Sequence, residues 1–465
     1  MSTPKEATNT CHLIGAITVQ HQQKRADVVK AASSSESSTA THDAYTTAHA
    51  SLAPEHRDTF QTQASLSSAI SRKSNLNYPP QPQSASTVAI AGTRFATTGE
   101  INLDEREEFL LHQETFNCVI AGTDTQTSII LLGTLAMLTF LVSKLIWYMD
   151  GTFQTSPDNF AQIFTLHAFE GDRLFPCLWA LLTHKAQPVY DRLFQIILLK
   201  CQQNNIVILV ERSMSDYETG LIPALRNCNP LRGWPVQLQL DGCTFHLTQA
   251  MYRWIQLHGL VRDFSIRESD IREFFKRVAV CVLLNPTLRA INGEDEKAAM
   301  ALAGFDVTGI NPQTSDVEVT LSKLCDPNGL YAALFVNFPL MIQFFHYARQ
   351  EYFTRDIDGT MMSNLHHLAA GDHRTNNDLE GWHKVFNEML HNHKHGMWGV
   401  LEKIQLEHQR AVRELGQVRA GAQLSAKPVW MKKRILTFAR LKNLYDSGAM
   451  TALHFTKYAS DCLAY

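Results

Sequence analysis

The chain has 465 residues, room for about two or three domains, and its 45% apolar composition is sufficient for a large core. Its net charge of −3 excludes a polycation that coats nucleic acid indiscriminately, so any DNA contact must come from local basic groups. The nine cysteines are scattered without a Cys-x-x-Cys pair, which favours reduced thiols in an intracellular protein over a disulfide scaffold.

Residues 1–100 are predicted to form a disordered, low-complexity region. Ser, Thr and Ala dominate residues 31–70, and the linker-like stretch Pro79-Pro80-Gln81-Pro82 follows. Because no helical or strand period is sustained, this segment cannot bury enough apolar surface to offset its chain entropy. Residues 101–144 are then predicted to be a helical or irregular lead-in.

The most apolar stretch of the chain is residues 129–149, which is long enough to span a bilayer. Lys144 interrupts it, and a charge at that depth would make insertion costly. We therefore expect a buried helix in the first half of the stretch and a core strand in the second half. A membrane protein anchored by this segment is the alternative.

The strand at the end of this stretch is predicted to stop on Asp150, with Gly151 turning the backbone. After a further strand at 162–169, the apolar spacing of 189–200 predicts a helix, and the apolar run 206–210 predicts a strand. Strand, helix and strand in that order predict a parallel β-α-β unit. A third strand at 236–240 precedes a helix that ends at Leu257.

Residues 264–370 differ from the preceding alternation of strands and helices. Within them, 272–284 and 330–345 are predicted to be helical by period and length. Near residue 380, apolar residues at helical spacing predict another helix, and C-terminal helices are predicted over 401–465.

Several short polar blocks accompany these elements. They are, in chain order, Asp150-Gly-Thr-Phe153, Ser215-Asp-Tyr-Glu218, Cys243-x-x-His246 and Thr375-Asn-Asn-x-x-Glu-Gly-Trp-His383. Over residues 145–445 the chain resembles the catalytic domain of Mutator-like element (MULE) transposases, which carry such blocks in this order. The resemblance implies an α/β, ribonuclease H-like fold with a mixed sheet and an all-helical insertion.

The resemblance also implies a division of the chain. The catalytic domain would occupy 145–263 and 371–400, and the helical insertion would occupy 264–370. The reaction would be metal-dependent cleavage and strand transfer of DNA, with transposon ends and target DNA as partners. A nuclear location, a homo-oligomer in the active state and no membrane association follow from the same resemblance.

The family's three DDE acids correspond here to Asp150, Asp216 and Glu380. Two Mg²⁺ or Mn²⁺ ions would be held by these acids, since such hard cations prefer carboxylate oxygen and paired ions serve phosphodiester chemistry. Cys243, His246 and His383 would contact the substrate or support the site.

Simpler interpretations of these residues stay open. Asp150 could only form a turn, Asp216 could cap the next helix, and Glu380 could pair with Lys384. Glu268 and Glu273 are alternative third acids if 264–370 is not an insertion.

A transposon-derived factor that binds DNA or protein without cutting is the alternative function. The presence of all three acids argues against this alternative. The sparse Cys and His content of residues 1–100, which lacks a zinc-binding recognition module, argues against both functions.

Overall fold

The computed structural model describes residues 23–28, 78–98, 106–308, 312–354, 365, 377–390, 396–422 and 429–462. The chain divides into two compact units, one of residues 1–83 and 396–401 and one of residues 84–395 and 402–465. Within the first unit, Trp398 Nε1 donates a hydrogen bond to the Pro80 carbonyl (3.1 Å). Among the described helices, none has both the length and the apolar composition required to cross a bilayer.

The second unit is built on a seven-stranded sheet with the strand order β1-β2-β5-β4-β3-β6-β7. The strands are β1 (Leu110–Ile120), β2 (Thr123–Leu132), β3 (Ile146–Thr152), β4 (Gln162–Glu170), β5 (Arg173–Leu182), β6 (Arg212–Ser215) and β7 (Gln239–Gly242). Neighbouring strands are antiparallel, except that β6 runs parallel to both β3 and β7. The predicted α/β class and mixed sheet are therefore confirmed.

Both faces of the sheet are covered. Successive side chains of a strand point to opposite faces, and those of β3 are buried on each side. Trp147 and Met149 of β3 lie in one buried cluster, whereas Tyr148 between them lies in another. The helices of the first half are α1 (Leu135–Val142), α2 (Gln187–Gln203), α3 (Leu221–Arg226) and α4 (Thr244–Leu257). Helices α1 and α2 contribute to the Trp147 cluster, and α4 contributes to the Tyr148 cluster.

The predicted helical region follows α4. Its elements are α5 (Val261–Ser265), α6 (Asp270–Val280), α7 (Gly293–Leu302), α8 (Asp316–Cys325), α9 (Ala332–Asn337) and α10 (Leu340–Tyr352). Two short strands, β8 (Arg289–Ala290) and β9 (Gln313–Thr314), form an antiparallel pair, so the region is not purely helical. The single helix predicted at 330–345 is two helices, because Pro339 has no N–H with which to continue the first.

The C-terminal part of the chain is helical, as predicted. Its helices are α11 (Asn377–Met389), α12 (Met397–Arg419), α13 (Val429–Asp446) and α14 (Ala452–Ser460).

The predictions for the first 144 residues need two corrections. Most of the region predicted to be disordered lies outside the described residues, but residues 84–98 belong to the second unit, and Ile90 and Phe95 are fully buried there. The helical or irregular lead-in at 101–144 contains the hairpin of β1 and β2. Its turn, Ala121-Gly122, has positive φ at both residues, which is the geometry of a tight hairpin turn.

Two strand predictions were also wrong in detail. The apolar stretch 129–149 forms the end of β2, then α1, then β3, instead of one helix and one strand. Residues 206–210 form no strand, and Val207 there is 72% exposed. The strand that pairs with β3 begins later, at Arg212, where the chain first comes into register with Ile146.

Candidate functional site

Asp150 lies near the carboxyl end of β3 and is 93% buried, with 7% of its surface exposed. It shares a face with Tyr148, the side covered by α4 and the later helices. The strand does not stop there as predicted but continues to Thr152. Gly151 lies inside the strand instead of in a turn and packs closely on a side chain of β4, since a Cβ on it would lie 2.2 Å from Gln162 Oε1.

Asp216 directly follows β6, the parallel neighbour of β3. Tyr148 pairs with Met214, so extending this register by two residues brings Asp216 beside Asp150. Asp216 does not cap a helix, because α3 begins only after Gly220. It accepts a hydrogen bond from the backbone N–H of Glu218.

Helix α11 supplies the third predicted acid, Glu380, in its first turn. His383 and Asn387 follow at helical spacing on the same face. Asn387 Oδ1 accepts hydrogen bonds from the hydroxyls of Thr152 (3.0 Å) and Thr155 (2.6 Å). These bonds attach the helix that carries Glu380 to the strand that carries Asp150.

Helix α4 supplies His246, whose Nε2 lies 2.8 Å from Glu380 Oε1. Cys243 is buried at the N-cap of this helix and donates its backbone N–H to the Ser215 carbonyl at 2.8 Å. The Cys-x-x-His block therefore connects the end of β6 to α4. Glu380 pairs with His246 and not with Lys384, the alternative partner considered from sequence.

These elements bring three side chains together. One ligand atom from each of Asp150, His246 and Glu380 lies within 4.8 Å of the other two, so the three could hold a metal ion. No other described group of three or more His, Cys, Asp or Glu residues has this property, so neither alternative acid, Glu268 or Glu273, belongs to one. Glu273 instead accepts a hydrogen bond from the Tyr331 hydroxyl at 3.0 Å.

The acids repel one another in a buried setting. Burial, together with the charges of Asp216 and Glu380, raises the pKa of Asp150 to about 7. Burial also raises the pKa of Asp216, and burial and Asp216 raise the pKa of Glu218 to about 7. Burial acts in the same direction on Glu380, but its hydrogen bond with His246 prevails and lowers the pKa.

The two histidines differ in charge. Burial favours neutral imidazole, yet the neighbouring Cys243, the pair with Glu380 and the charge of Asp150 raise the pKa of His246 to about 11. Burial lowers the pKa of His383 to about 4. In the metal-free protein at neutral pH these shifts favour the cationic form of His246 and the neutral form of His383.

His383 is buried, and both of its ring nitrogens lack a hydrogen-bond partner among the described residues. Its Nε2 lies 3.5 Å from Asp150 Oδ2. Such a polar group is costly to bury unless something binds it. Its orientation toward Asp150 is therefore a second indication that the site accepts a ligand.

Two charged residues at the site were not predicted from sequence. Glu218 is half-buried, and its pKa is affected by Asp216 and Lys185. Lys185 follows β5 and has its Nζ 2.7 Å from the centre of the Phe153 ring. The Asp-x-Glu spacing of the second block could have indicated Glu218, whereas no sequence signal indicated Lys185.

Comparison of the chain with models of protein families, with curated proteins and with solved structures found no match.

Proposed function

We propose that this protein is a DDE transposase of the MULE type that cleaves DNA and transfers the cut strand. The observation that carries the proposal is the convergence of Asp150, Glu380 and His246, with Asp216 beside them, from four distant parts of the chain. Water would attack a phosphodiester at the element end, and the freed 3′-hydroxyl would then attack target DNA.

The sheet topology supports a ribonuclease H-like core. Strands β5, β4 and β3 are antiparallel, and β6 and β7 then run parallel to β3, as in a sheet of that kind. Asp150 and Asp216 stand at the ends of neighbouring parallel strands. In this proposal β1 and β2 extend the sheet at one edge, and the helices between α4 and α11 are the insertion.

The donor set fits a divalent cation. Two carboxylates within 4.8 Å of each other offer the oxygen ligands that Mg²⁺ and Mn²⁺ prefer. His246 would become a nitrogen donor, which favours a transition metal such as Mn²⁺, only on releasing its proton as the ion binds. Asp216, next to Asp150, supports a second ion. When bound, paired divalent ions would activate the attacking oxygen and stabilise the leaving oxygen.

The chain's own residues would position the acidic side chains. Asn387 fixes Glu380 relative to Asp150 through Thr152 and Thr155, so the acids are oriented before a ligand arrives. His246 pairs with Glu380, and His383 lies with its Nε2 3.5 Å from Asp150 Oδ2. DNA as the partner, a homo-oligomer as the active form and a nuclear location belong to the same proposal.

The test is nicking of supercoiled plasmid DNA by the purified full chain with Mn²⁺ or Mg²⁺. We expect Asp150→Asn and Glu380→Gln each to lower the nicking rate by about 100-fold or more, because each removes a carboxylate from the site. DNA affinity should be retained, since neither change removes a positive charge.

Glu268→Gln is the matched control. Glu268 is an exposed carboxylate outside the group and was the alternative third acid, so its variant should nick at the parent rate. An Asp150→Asn protein that nicks as fast as the parent would overturn the proposal. Metal-independent DNA binding with no nicking by the parent would favour the non-cutting factor.

A further inference from the structure

Lys185 carries a positively charged ammonium group beside the acidic residues, and none of the described residues forms an ion pair with it. It lies in the loop between β5 and α2, and its side chain is exposed. Within the described part of the chain, it forms no ion pair within 4.0 Å and donates no side-chain hydrogen bond. Its Nζ lies instead 2.7 Å from the centre of the Phe153 ring, a cation–π contact.

The backbone fixes the position of Lys185. Gly220, at the N-cap of α3, packs so closely that a Cβ there would lie 2.2 Å from the Lys185 carbonyl oxygen. The backbone of Lys185 therefore packs against the end of the loop that carries Asp216 and Glu218. On its other side, Phe153 is three residues from Asp150 and is 42% exposed.

Three carboxylates near Lys185 determine when its ammonium group could bind an anion. Glu218, Asp216 and Asp150 all act on its ammonium group, yet none approaches closely enough to form an ion pair. Divalent cations on these acids would cancel their charge, and the ammonium would then be attracted mainly by an incoming anion. An exposed lysine on a flexible stem suits a phosphate oxygen as a point charge.

We propose that Lys185 binds a DNA backbone phosphate at the acidic site, with the ring of Phe153 holding its side chain in place. This inference rests on the proposed function, since it takes DNA as the substrate. It adds a substrate-binding residue from the β5–α2 loop to a site otherwise built from β3, the end of β6, α4 and α11.

The experiment measures the affinity of the full chain for a short fluorescein-labelled DNA duplex by anisotropy, in Ca²⁺ buffer over a series of KCl concentrations. One phosphate contact contributes about 0.9 to the slope of log affinity against log salt. We expect Lys185→Gln to reduce that slope by about 0.9 and Lys185→Arg to retain it. Lys200→Gln, a lysine near the other end of α2, is the matched control and should leave the slope unchanged.

The slope separates phosphate contact from a structural role, which would weaken binding by a similar factor at every salt concentration. An unchanged slope for Lys185→Gln overturns the inference. If Asp150→Asn still abolishes nicking in that case, the proposed function stands without it. A parent chain that binds no duplex at any salt concentration overturns both.

Discussion

At the scale of single residues, the buried and mutually repelling carboxylates lower the stability of the metal-free protein at neutral pH. Asp150 is buried, and its ionised form is disfavoured by burial and by Asp216 and Glu380. In the unfolded chain the same carboxyl group would ionise near its ordinary value of 3.8. The folded state therefore binds this proton more tightly than the unfolded state, and stability falls as pH rises from about 4 to about 7.

We accordingly expect Asp150→Asn to raise the free energy of unfolding of the metal-free protein at pH 8 by roughly 2–4 kcal/mol. At pH 5 the gain should be less than half as large, because the parent's Asp150 is then mostly protonated when folded. Urea unfolding in EDTA at both pH values measures this. Asp124→Asn, at an exposed position in the β1–β2 hairpin, should change stability little at either pH. A gain that is equal at both pH values would contradict the pKa assigned to Asp150.

Of the three acids predicted from sequence, Asp150 and Glu380 lie in the group that could hold a metal ion, where His246 takes the third place instead of Asp216. The strand that carries Asp150 could be predicted from its apolar pattern. The strand before Asp216 was expected at 206–210 and lies instead at Arg212–Ser215, so the sequence indicated the neighbouring strands but not the bounds of the second one. The contact between His246 and Glu380 could not be predicted, because sequence separation carries no distance. The same limit concealed Lys185, whose position depends on how closely Gly220 packs against it.

At the scale of elements, the apolar stretch 129–149 shows why periodicity failed. Most of its apolar residues are buried in strand and helix alike, although Leu145 is 57% exposed, so neither a helical nor a strand period distinguishes its parts. The boundary is set by Gly133, with φ of 145° and no room for a Cβ beside Leu178. Thr134 then caps α1 by accepting a hydrogen bond from Met137 N.

Gly220 and Gly416 differ in the space available for a side chain. Gly220→Ala should lower the free energy of unfolding by about 1–3 kcal/mol, because its Cβ would collide with the Lys185 backbone. Gly416→Ala, inside α12, meets nothing within 4 Å and should raise stability by about 0.5–1 kcal/mol through helix propensity. Chemical unfolding of the two variants and the parent tests the pair. Equal effects would show that the loop can move away from α3.

At the scale of the whole molecule, the extent of the folded unit differs from the sequence prediction. Composition alone indicated disorder to residue 100, since the few apolar residues there show no period. Yet Phe109 N donates a hydrogen bond to the Ala96 carbonyl at 2.8 Å, and Phe95 is fully buried. A short irregular segment can complete a core that other elements create, and local composition does not reveal this.

Phe95→Ala should therefore destabilise the protein by about 3–5 kcal/mol, as expected for a large cavity in a core. Leu231→Ala removes a large apolar side chain that is 97% exposed and should change stability by less than about 0.5 kcal/mol. Thermal or urea unfolding distinguishes the two. If Phe95→Ala behaves like Leu231→Ala, residues 84–98 contribute no stability to the second unit.

Because Asp150 is buried beside like charges, mutation could replace it without a loss of stability in the metal-free protein. An aspartate codon becomes an asparagine codon by one base change, and here that change is expected to stabilise the metal-free protein. Under the proposed function, a lineage that no longer required DNA cleavage would have no reason to retain the acid and would gain a small advantage in losing it. Sequencing this locus in related genomes would show whether selection still maintains Asp150.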